Sequence, residues 1–247
     1  MMSDDDEPLT LSADTLAALM EFKNEKQERE EQFAKLQEAA EKKFVDSKLI
    51  KEKGMDLFQE DWQLSQFWYS DNTADILADE LLEGADEDTV ICIASAPSVY
   101  AAIKKRDADT LPTQQIWLLE FDKRFSALAG DKFGFYDYNH PLELPEAIKG
   151  KVNRLLIDPP FLEEQCQTKS SQSAHALLSK DKTSKTKNGV LKYRLISCTG
   201  ERMRDVIKKT YPDTNPTTFL PEHANGLSNE FMCYASYEGK NWKWNKN

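Results

Sequence analysis

An apolar run from Val152 to Ile157 is followed by Asp158-Pro159-Pro160-Phe161. This motif ends a strand and restricts the backbone conformation of the residues after it. Proline fixes φ and lacks a backbone donor, so this segment stays extended and its carbonyl groups have no local partners. An acceptor-only carboxylate and an aromatic ring flank these carbonyls, and the array suits a flat or cationic nitrogen that donates hydrogen bonds. We therefore predict an acceptor-nitrogen site at Asp158, Pro159, Pro160 and Phe161. The alternative is a simple strand-terminating turn.

Strand and helix patterns alternate after residue 61. Apolar runs typical of buried strands occur at residues 89–94, 115–119, 132–138, 152–157 and 192–198. Helical patterns occur at residues 72–82, 98–105 and 201–209. Two last strands, 217–220 and 230–237, are joined by a link that contains Asn225-Gly226, which is typical of a hairpin. Repeated strand–helix units predict an α/β fold with a mostly parallel sheet and one antiparallel strand.

The charge pattern divides the chain into three parts. Residues 1–10 are acidic and are predicted to be disordered. Residues 11–60 are rich in Glu, Lys, Gln and Ala with few apolar residues, and they predict a charged, solvated helical extension. The folded domain is predicted to occupy residues 61–240. Within it, the Lys-rich segment 179–188 predicts a flexible loop between the fourth and fifth strands that could meet a substrate.

Composition limits the class of protein. The chain has 247 residues, of which 40% are hydrophobic, and this is enough for a sizeable core. Its formal net charge of −11 argues against a protein that holds duplex nucleic acid through phosphate contacts. The sequence shows no signal-peptide pattern and no apolar run of about 18 residues, so we expect a cytoplasmic protein without membrane contact. Four cysteines without C-x-x-C spacing and three histidines without ligand spacing predict reduced thiols and no metal.

The first strand ends in a turn that contains no glycine. In an open parallel sheet, ligands bind outside the carboxyl ends of the strands. Here these positions are Ala94, Ser95, Ala96 and Pro97, whereas a pyrophosphate site normally needs several glycines. Small side chains still allow the backbone to approach a cofactor that has no phosphates. This turn therefore favours S-adenosylmethionine over NAD or ATP.

Acidic residues follow the next two strands. Glu120 lies at the end of the second strand, and we predict that it accepts hydrogen bonds from ribose hydroxyls. Asp122 is a further candidate for the cofactor site, although it could instead pair with Lys123 or Arg124. Asp137 follows the third strand, where we predict that it accepts from an adenine amino group.

Three adjacent aromatic residues, Phe67, Trp68 and Tyr69, precede the first strand. We favour core and lid packing for all three, because large aromatic side chains dominate packing energetics. Phe67 and Trp68 are also kept as candidates for contact with the cofactor.

Six segments, taken in this order, closely resemble the eukaryotic elongation factor 1-alpha lysine methyltransferases. They are QLSQFWY (63–69), SAPSVY (95–100), EFDKRF (120–125), FYDYN (135–139), DPPF (158–161) and NEF (229–231). Members of this family were once labelled adenine-N6 DNA methyltransferases because of their Asp-Pro-Pro-Phe/Tyr motif. The resemblance, which covers about residues 9–237, implies a seven-stranded, Rossmann-like class I methyltransferase sheet with an antiparallel C-terminal hairpin. It also implies S-adenosylmethionine as donor and a lysine of the elongation factor as acceptor.

Two alternatives stay open from the sequence. The same constellation could extrude an adenine, stack it on Phe161 and methylate its amino group. The chain could also be a non-catalytic module that uses the fold to hold a translation factor. We adopt the interpretation of a monomeric protein-lysine N-methyltransferase that acts on elongation factor 1-alpha and not on DNA.

Overall fold

The computed structural model describes Met55, Phe58, Glu60 and residues 66–226 and 230–245. These residues belong to one compact unit, Asp46–Asn247. The predicted acidic tail, residues 1–10, lies outside the described residues. The predicted helical extension over residues 11–60 also lies outside them, apart from the three single residues named above. Both therefore stay predictions.

In the described part of the chain, seven strands form one sheet: β1 (Ile91–Ala94), β2 (Ile116–Glu120), β3 (Phe133–Phe135), β4 (Arg154–Ile157), β5 (Arg194–Gly200), β6 (Asn215–Pro216) and β7 (Phe231–Ala235). Their order across the sheet is β3-β2-β1-β4-β5-β7-β6. Strands β1 to β5 pair in parallel, whereas β7 runs antiparallel to both β5 and β6. The predicted mostly parallel sheet with one antiparallel strand is confirmed.

Helices cover both faces of this sheet. Within the described ranges the α-helices are α1 (Asp71–Leu82), α2 (Pro97–Lys104), α3 (Ser126–Ala129), α4 (Glu164–Leu177) and α5 (Arg204–Thr210). Short 3₁₀ segments lie at Ala108–Thr110, Lys123–Phe125, Gly130–Lys132 and Glu201–Met203. The three predicted helices correspond to α1, α2 and α5 and are confirmed. None of the helices that the structure describes combines the length and the apolar character needed to cross a membrane.

The two central strands are buried on both sides. Every residue of β1 and β4 is buried, which explains why their sequences are nearly continuous apolar runs. Cys92 and Leu155 pack in one cluster with Ala174 and Leu177 of α4. Because alternate residues of a strand point to opposite faces, the other residues of β1 and β4 point to the face that α1 and α2 cover.

Helix α4 is absent from the sequence-based prediction because its apolar stripe is unusually weak. Its buried positions include Cys166, Ser170, Ser173, Ala174 and Leu177. These positions have the spacing of one helix face, but most of the side chains are small or polar. Small side chains let the helix lie close to the sheet, and the spacing of the buried positions is the signal that could have revealed it.

The predicted C-terminal hairpin takes a different form. The strand predicted at residues 217–220 is wrong, because β6 is only Asn215–Pro216. The Thr217 amide still donates to the Cys233 carbonyl of β7 at 2.8 Å, and the chain leaves β7 after it. The Thr218 amide donates to the Lys243 carbonyl at 2.8 Å, and Thr217 forms an isolated bridge with Trp244. After Thr217, the chain therefore pairs with the end of the described residues instead of extending the antiparallel pair further.

The Lys-rich segment 179–188 lies at the opposite edge of the sheet from the one predicted for substrate. It follows α4, which returns the chain to the start of β5, so it lies at the amino ends of the strands. The Lys187 amide donates to Asp86 at 2.9 Å, and its ammonium group pairs with Glu87. Asn188 donates to the Ala85 carbonyl at 3.2 Å. The prediction of a flexible loop at the substrate edge is corrected: several hydrogen bonds fix this segment to the turn before β1.

Two buried arginines at the starts of β4 and β5 hold the C-terminal end of α1. Arg154 Nη1 donates to the carbonyls of Leu81 and Glu83, each at 2.7 Å. Arg194 Nη1 donates to the Glu80 carbonyl at 2.6 Å. Burial, and then the neighbouring Arg194, lower the pKa of Arg154 to about 10, so it is still charged at neutral pH. These side chains supply donors to carbonyls that a helix end leaves without partners.

We expect Arg154→Leu to lower the free energy of unfolding by about 2 to 4 kcal/mol, because one buried and one partly buried carbonyl would lose their donor. Urea unfolding followed by circular dichroism measures this change. Arg106 is the matched control, since it pairs with Asp79 of the same helix at 2.8 Å but is partly exposed. Arg106→Leu should cost less than about 1 kcal/mol. Equal losses in the two variants would contradict the assignment.

Candidate active site

A cavity of about 340 Å³ opens at the carboxyl ends of β1, β2 and β4. Most of the residues predicted for the site line it, namely Phe67, Trp68, Ser95, Ala96, Pro97, Glu120, Asp137, Asp158, Pro159, Pro160 and Phe161. Two predicted residues, Ala94 and Asp122, do not line it. The size lies in the range of small-molecule sites, which usually occupy roughly 300–1,000 Å³.

The turn after β1 brings the backbone close to this cavity without using glycine. Ser95 has a φ of 58°, in the left-handed region that side chains other than glycine rarely adopt. The Ser95 amide donates to the Leu119 carbonyl at 2.9 Å, which ties the turn to β2. Helix α2 then begins at Pro97, a residue that suits a first helical position. Ala94 belongs to the wall behind the turn, because its carbonyl accepts from the Asp158 amide at 3.0 Å.

Glu120 is the last residue of β2 and is 7% exposed. Its Oε1 accepts from the amides of Phe121 at 2.9 Å and Asp122 at 3.3 Å. Within the described part of the chain, Oε2 has no hydrogen-bond donor, so this oxygen is available to a ligand. Burial raises the pKa of Glu120 to about 7, because the two amide donors offset only part of the desolvation.

Asp122 supports the turn after β2 from outside the cavity. Arg124 Nε lies 3.0 Å from Oδ1 and 2.8 Å from Oδ2, and Gln66 Nε2 donates to Oδ2 at 3.0 Å. Burial alone would raise the pKa of Asp122, but the hydrogen bonds from Arg124 and Gln66 outweigh it, and the pKa is lowered. Of the two roles considered for Asp122, the structure therefore places it in the ion pair with Arg124.

Asp137 lines the cavity after β3. Its Oδ1 accepts from the Asn139 amide at 2.8 Å, and its Oδ2 lies 3.1 Å from His140 Nδ1. Since a carboxylate can accept about four hydrogen bonds, these two contacts leave capacity for a ligand.

The Asp158 corner lines the cavity beside the first turn, because β4 is the neighbour of β1 in the sheet. Asp158 is half-buried, and its Oδ2 accepts from the Tyr69 hydroxyl at 2.6 Å. Burial raises the pKa of Asp158 to about 7, while the Tyr69 hydrogen bond lowers it and the charge of Glu120 raises it. Gln167 of α4 donates to the Phe161 carbonyl at 3.0 Å, which fixes the end of the corner. The Phe161 ring lies 5.7 Å from the ring of Tyr138.

Two segments far apart in sequence cover the cavity. The Ala224 amide donates to the Trp68 carbonyl at 2.8 Å, and Tyr69 forms an antiparallel bridge with His223. The rings of Tyr69 and His223 lie 4.9 Å apart. Trp68 packs edge-on against Phe125 at 5.6 Å, in agreement with the predicted lid and core packing. The contact of Tyr69 with Asp158 and the position of His223 at the cavity had no sequence signal, because both depend on long-range pairing.

We expect Glu120→Gln to raise the free energy of unfolding of the ligand-free protein, and to raise it by about 1 to 3 kcal/mol more at pH 8 than at pH 4. The pKa of Glu120 is about 7 in the folded chain, above its unfolded value. The contribution of Glu120 to stability is therefore complete below about pH 4, where the side chain is protonated, and is lost as the pH rises through 7. Glutamine keeps the Oε1 acceptor and cannot ionise. Thermal unfolding across this pH range measures the difference, and parallel pH curves for the two proteins would contradict it.

Fold and site together define the class of protein. A sheet in this order, with one reversed strand and a cavity at the carboxyl ends of the central strands, is the architecture of class I methyltransferases. A similar solved structure is the branched-chain polyamine synthase C9 mutein from Thermus thermophilus in complex with N4-aminopropylspermidine and 5'-methylthioadenosine. Its TM-score is 0.51 at 11% identity, over 72% of this chain and 58% of that chain, and it shows the fold alone.

Sequence similarity then gives the family. Residues 60–239 match the family described as probable N6-adenine methyltransferase. The chain is 65% identical over 235 residues to protein-lysine N-methyltransferase EFM5 of Saccharomyces cerevisiae, covering 95% of this chain and 94% of that protein. It is 36% identical over 240 residues to EEF1A lysine methyltransferase 1 of Homo sapiens, covering 96% and 97%. The chain belongs to this family of protein-lysine N-methyltransferases, and the resemblance seen in its motifs is confirmed.

Proposed function

We propose that this enzyme transfers a methyl group from S-adenosylmethionine to a lysine side chain of translation elongation factor 1-alpha. The observation that carries the proposal is the shared cavity. It joins a turn suited to a phosphate-free cofactor, an acid with a free oxygen at Glu120, and the Asp158 corner. The name of the human relative, EEF1A lysine methyltransferase 1, supports the choice of substrate.

The cofactor would lie between the first turn and the two acids that follow β2 and β3. Glu120 Oε2 would accept from the ribose hydroxyls, and Asp137 would accept from the adenine amino group. Phe67 and Trp68 would close this side of the cavity. Ala94 and Asp122 would not contact the cofactor. They would support the turn after β1 and the end of β2. When bound, S-adenosylmethionine supplies a methyl group on a positively charged sulfur.

The acceptor lysine has to lose a proton before it can attack, because its reference pKa is about 10.4. In this proposal, Asp158 and the Pro159 carbonyl orient the nitrogen, and Phe161 forms the wall beside the side chain. Exclusion of water lowers the pKa of the amine. With its own pKa raised to about 7, Asp158 can hold a proton from the ammonium group more readily than an exposed carboxylate. Correct orientation contributes most of the acceleration, on the order of 7–11 kcal/mol for a well-placed pair.

Methylation of an adenine amino group is the second candidate, because the matching family is described as probable N6-adenine methyltransferase. Its amino group could meet the same acceptors, with the base stacked on Phe161. The net charge of −11 makes phosphate binding weaker and favours the protein substrate. Four free, buried cysteines are consistent with a reducing compartment, and we include the cytoplasm in the proposal. A monomeric state stays a prediction.

We expect Asp158→Ala to lower methylation of purified elongation factor 1-alpha by roughly 100-fold or more, because the acceptor nitrogen loses its orienting group. Transfer of labelled methyl groups from S-adenosylmethionine measures this rate. Cofactor affinity, measured by calorimetry, should change little. The control variant is Asp213→Ala, which removes an exposed acid paired with Lys182.

The same assay distinguishes the alternatives. Adenine-containing oligonucleotides are offered beside the elongation factor. Label in the oligonucleotides alone would support the adenine reaction, and no label in either would support a non-catalytic binding module. Full activity of Asp158→Ala would overturn the proposed role of the corner.

A further inference from the structure

We propose that Tyr69 is a positioning residue for methyl transfer, which holds the Asp158 carboxylate so that its free oxygen faces the acceptor nitrogen. The inference rests on the proposed function and assigns a role to a residue outside the Asp158 corner. Its starting point is the 2.6 Å hydrogen bond from the Tyr69 hydroxyl to Asp158 Oδ2. In the described chain, Asp158 Oδ1 has no hydrogen-bond donor, so it is the oxygen left for the substrate.

Tyr69 is itself rigidly placed. It is 4% exposed, and its amide donates to Ser98 Oγ of α2 at 3.2 Å. The bridge to His223 and the ring contact at 4.9 Å hold its other side. A side chain fixed from both directions can set the angle of the carboxylate that it contacts.

The direction of the Tyr69 hydroxyl proton is also determined. The Cys198 thiol of β5 is a further group near the same hydroxyl, but the hydrogen bond that the hydroxyl donates goes to Asp158 at 2.6 Å. A phenol has one proton to donate, and the carboxylate is the stronger acceptor. Burial, reinforced by the charge of Asp158, raises the pKa of Tyr69 well above its usual value, so the hydroxyl stays a donor.

Several groups that can carry negative charge lie around Asp158. Glu120 approaches from β2, Cys198 from β5 and Cys166 from α4, while Tyr69 approaches from the cover of the cavity. Among these, the Tyr69 hydroxyl is the group that favours the ionised carboxylate. Tyr69 therefore affects both the orientation of Asp158 and the pH at which it loses its proton.

The test is Tyr69→Phe, which removes one oxygen and keeps the ring. We expect kcat for elongation factor methylation to fall roughly 10- to 100-fold, as for the loss of one hydrogen bond to a charged group. Calorimetric affinity for S-adenosylmethionine should stay within about twofold, a change worth less than half a kcal/mol. Without the donor, the pKa of Asp158 rises, so the ascending limb of the kcat–pH profile should move to higher pH.

Tyr100→Phe is the matched control. Tyr100 is fully buried in α2, its hydroxyl lies 3.5 Å from the Ile116 carbonyl, and it does not line the cavity. This variant loses a buried hydroxyl without touching Asp158, so its kcat and pH profile should match those of the unmodified enzyme. Thermal unfolding of both variants shows that they are folded at the assay temperature.

A second variant, Tyr69→3-fluorotyrosine, keeps the packing and makes the hydroxyl a stronger donor. It should move the ascending limb in the opposite direction, to lower pH. The positioning role is overturned if Tyr69→Phe keeps its kcat, if Tyr100→Phe loses as much, or if neither Tyr69 variant moves the limb. Full activity of Asp158→Ala would overturn the proposed role of the corner, and with it this inference. If Asp158→Ala is inactive but the Tyr69 variants have the kcat and pH profile of the unmodified enzyme, the role of the corner stands and this inference alone is wrong.

Discussion

The parallel pairing of β1 with β4 is the constraint on which the site depends. Ala94 lies beside Ile157 in the register, so the two strands end together. The Asp158 amide donates to the Ala94 carbonyl at 3.0 Å, which continues the pairing one residue beyond β4. The turn that would face the cofactor and the corner that would face the acceptor are therefore neighbours by virtue of backbone hydrogen bonds. Both strands are buried on two faces, and a slip of one residue would turn each of their side chains to the wrong face.

This arrangement concentrates acidic groups where water is scarce. Glu120 and Asp158 each have a pKa raised to about 7, mainly by burial, and the charge of Glu120 also raises the pKa of Asp158. Hydrogen bonds compensate only part of the desolvation of these carboxylates: two backbone amides donate to Glu120 and the Tyr69 phenol donates to Asp158. The free protein therefore carries an electrostatic cost at neutral pH. Ribose hydroxyls and an ammonium group are donors that would relieve this cost, so a site built in this way favours occupied over empty states.

Local pattern was enough to predict β1 to β5, the reversed strand and the positions of Glu120 and Asp158, because each follows from apolar runs and from where they stop. Helix α4 escaped prediction because its buried face uses serine and alanine instead of large apolar residues. The predicted location of residues 179–188 was wrong for the same reason, because α4, which the prediction lacked, returns the chain to the amino ends of the strands. The Tyr69–Asp158 hydrogen bond spans 89 residues and has no local signature. The same holds for the ion pair of Asp122, whose two possible roles only the tertiary structure could separate.

The pairing of residues 68–70 with 222–224 links an early and a late part of the described fold. His223 and Ala224 follow β1 to β5 in the chain, so the part of the cover that they contribute is synthesised after the strands that carry Glu120 and Asp158. A chain shortened before residue 222 would lack this partner of Tyr69, and one side of the cavity would stay uncovered.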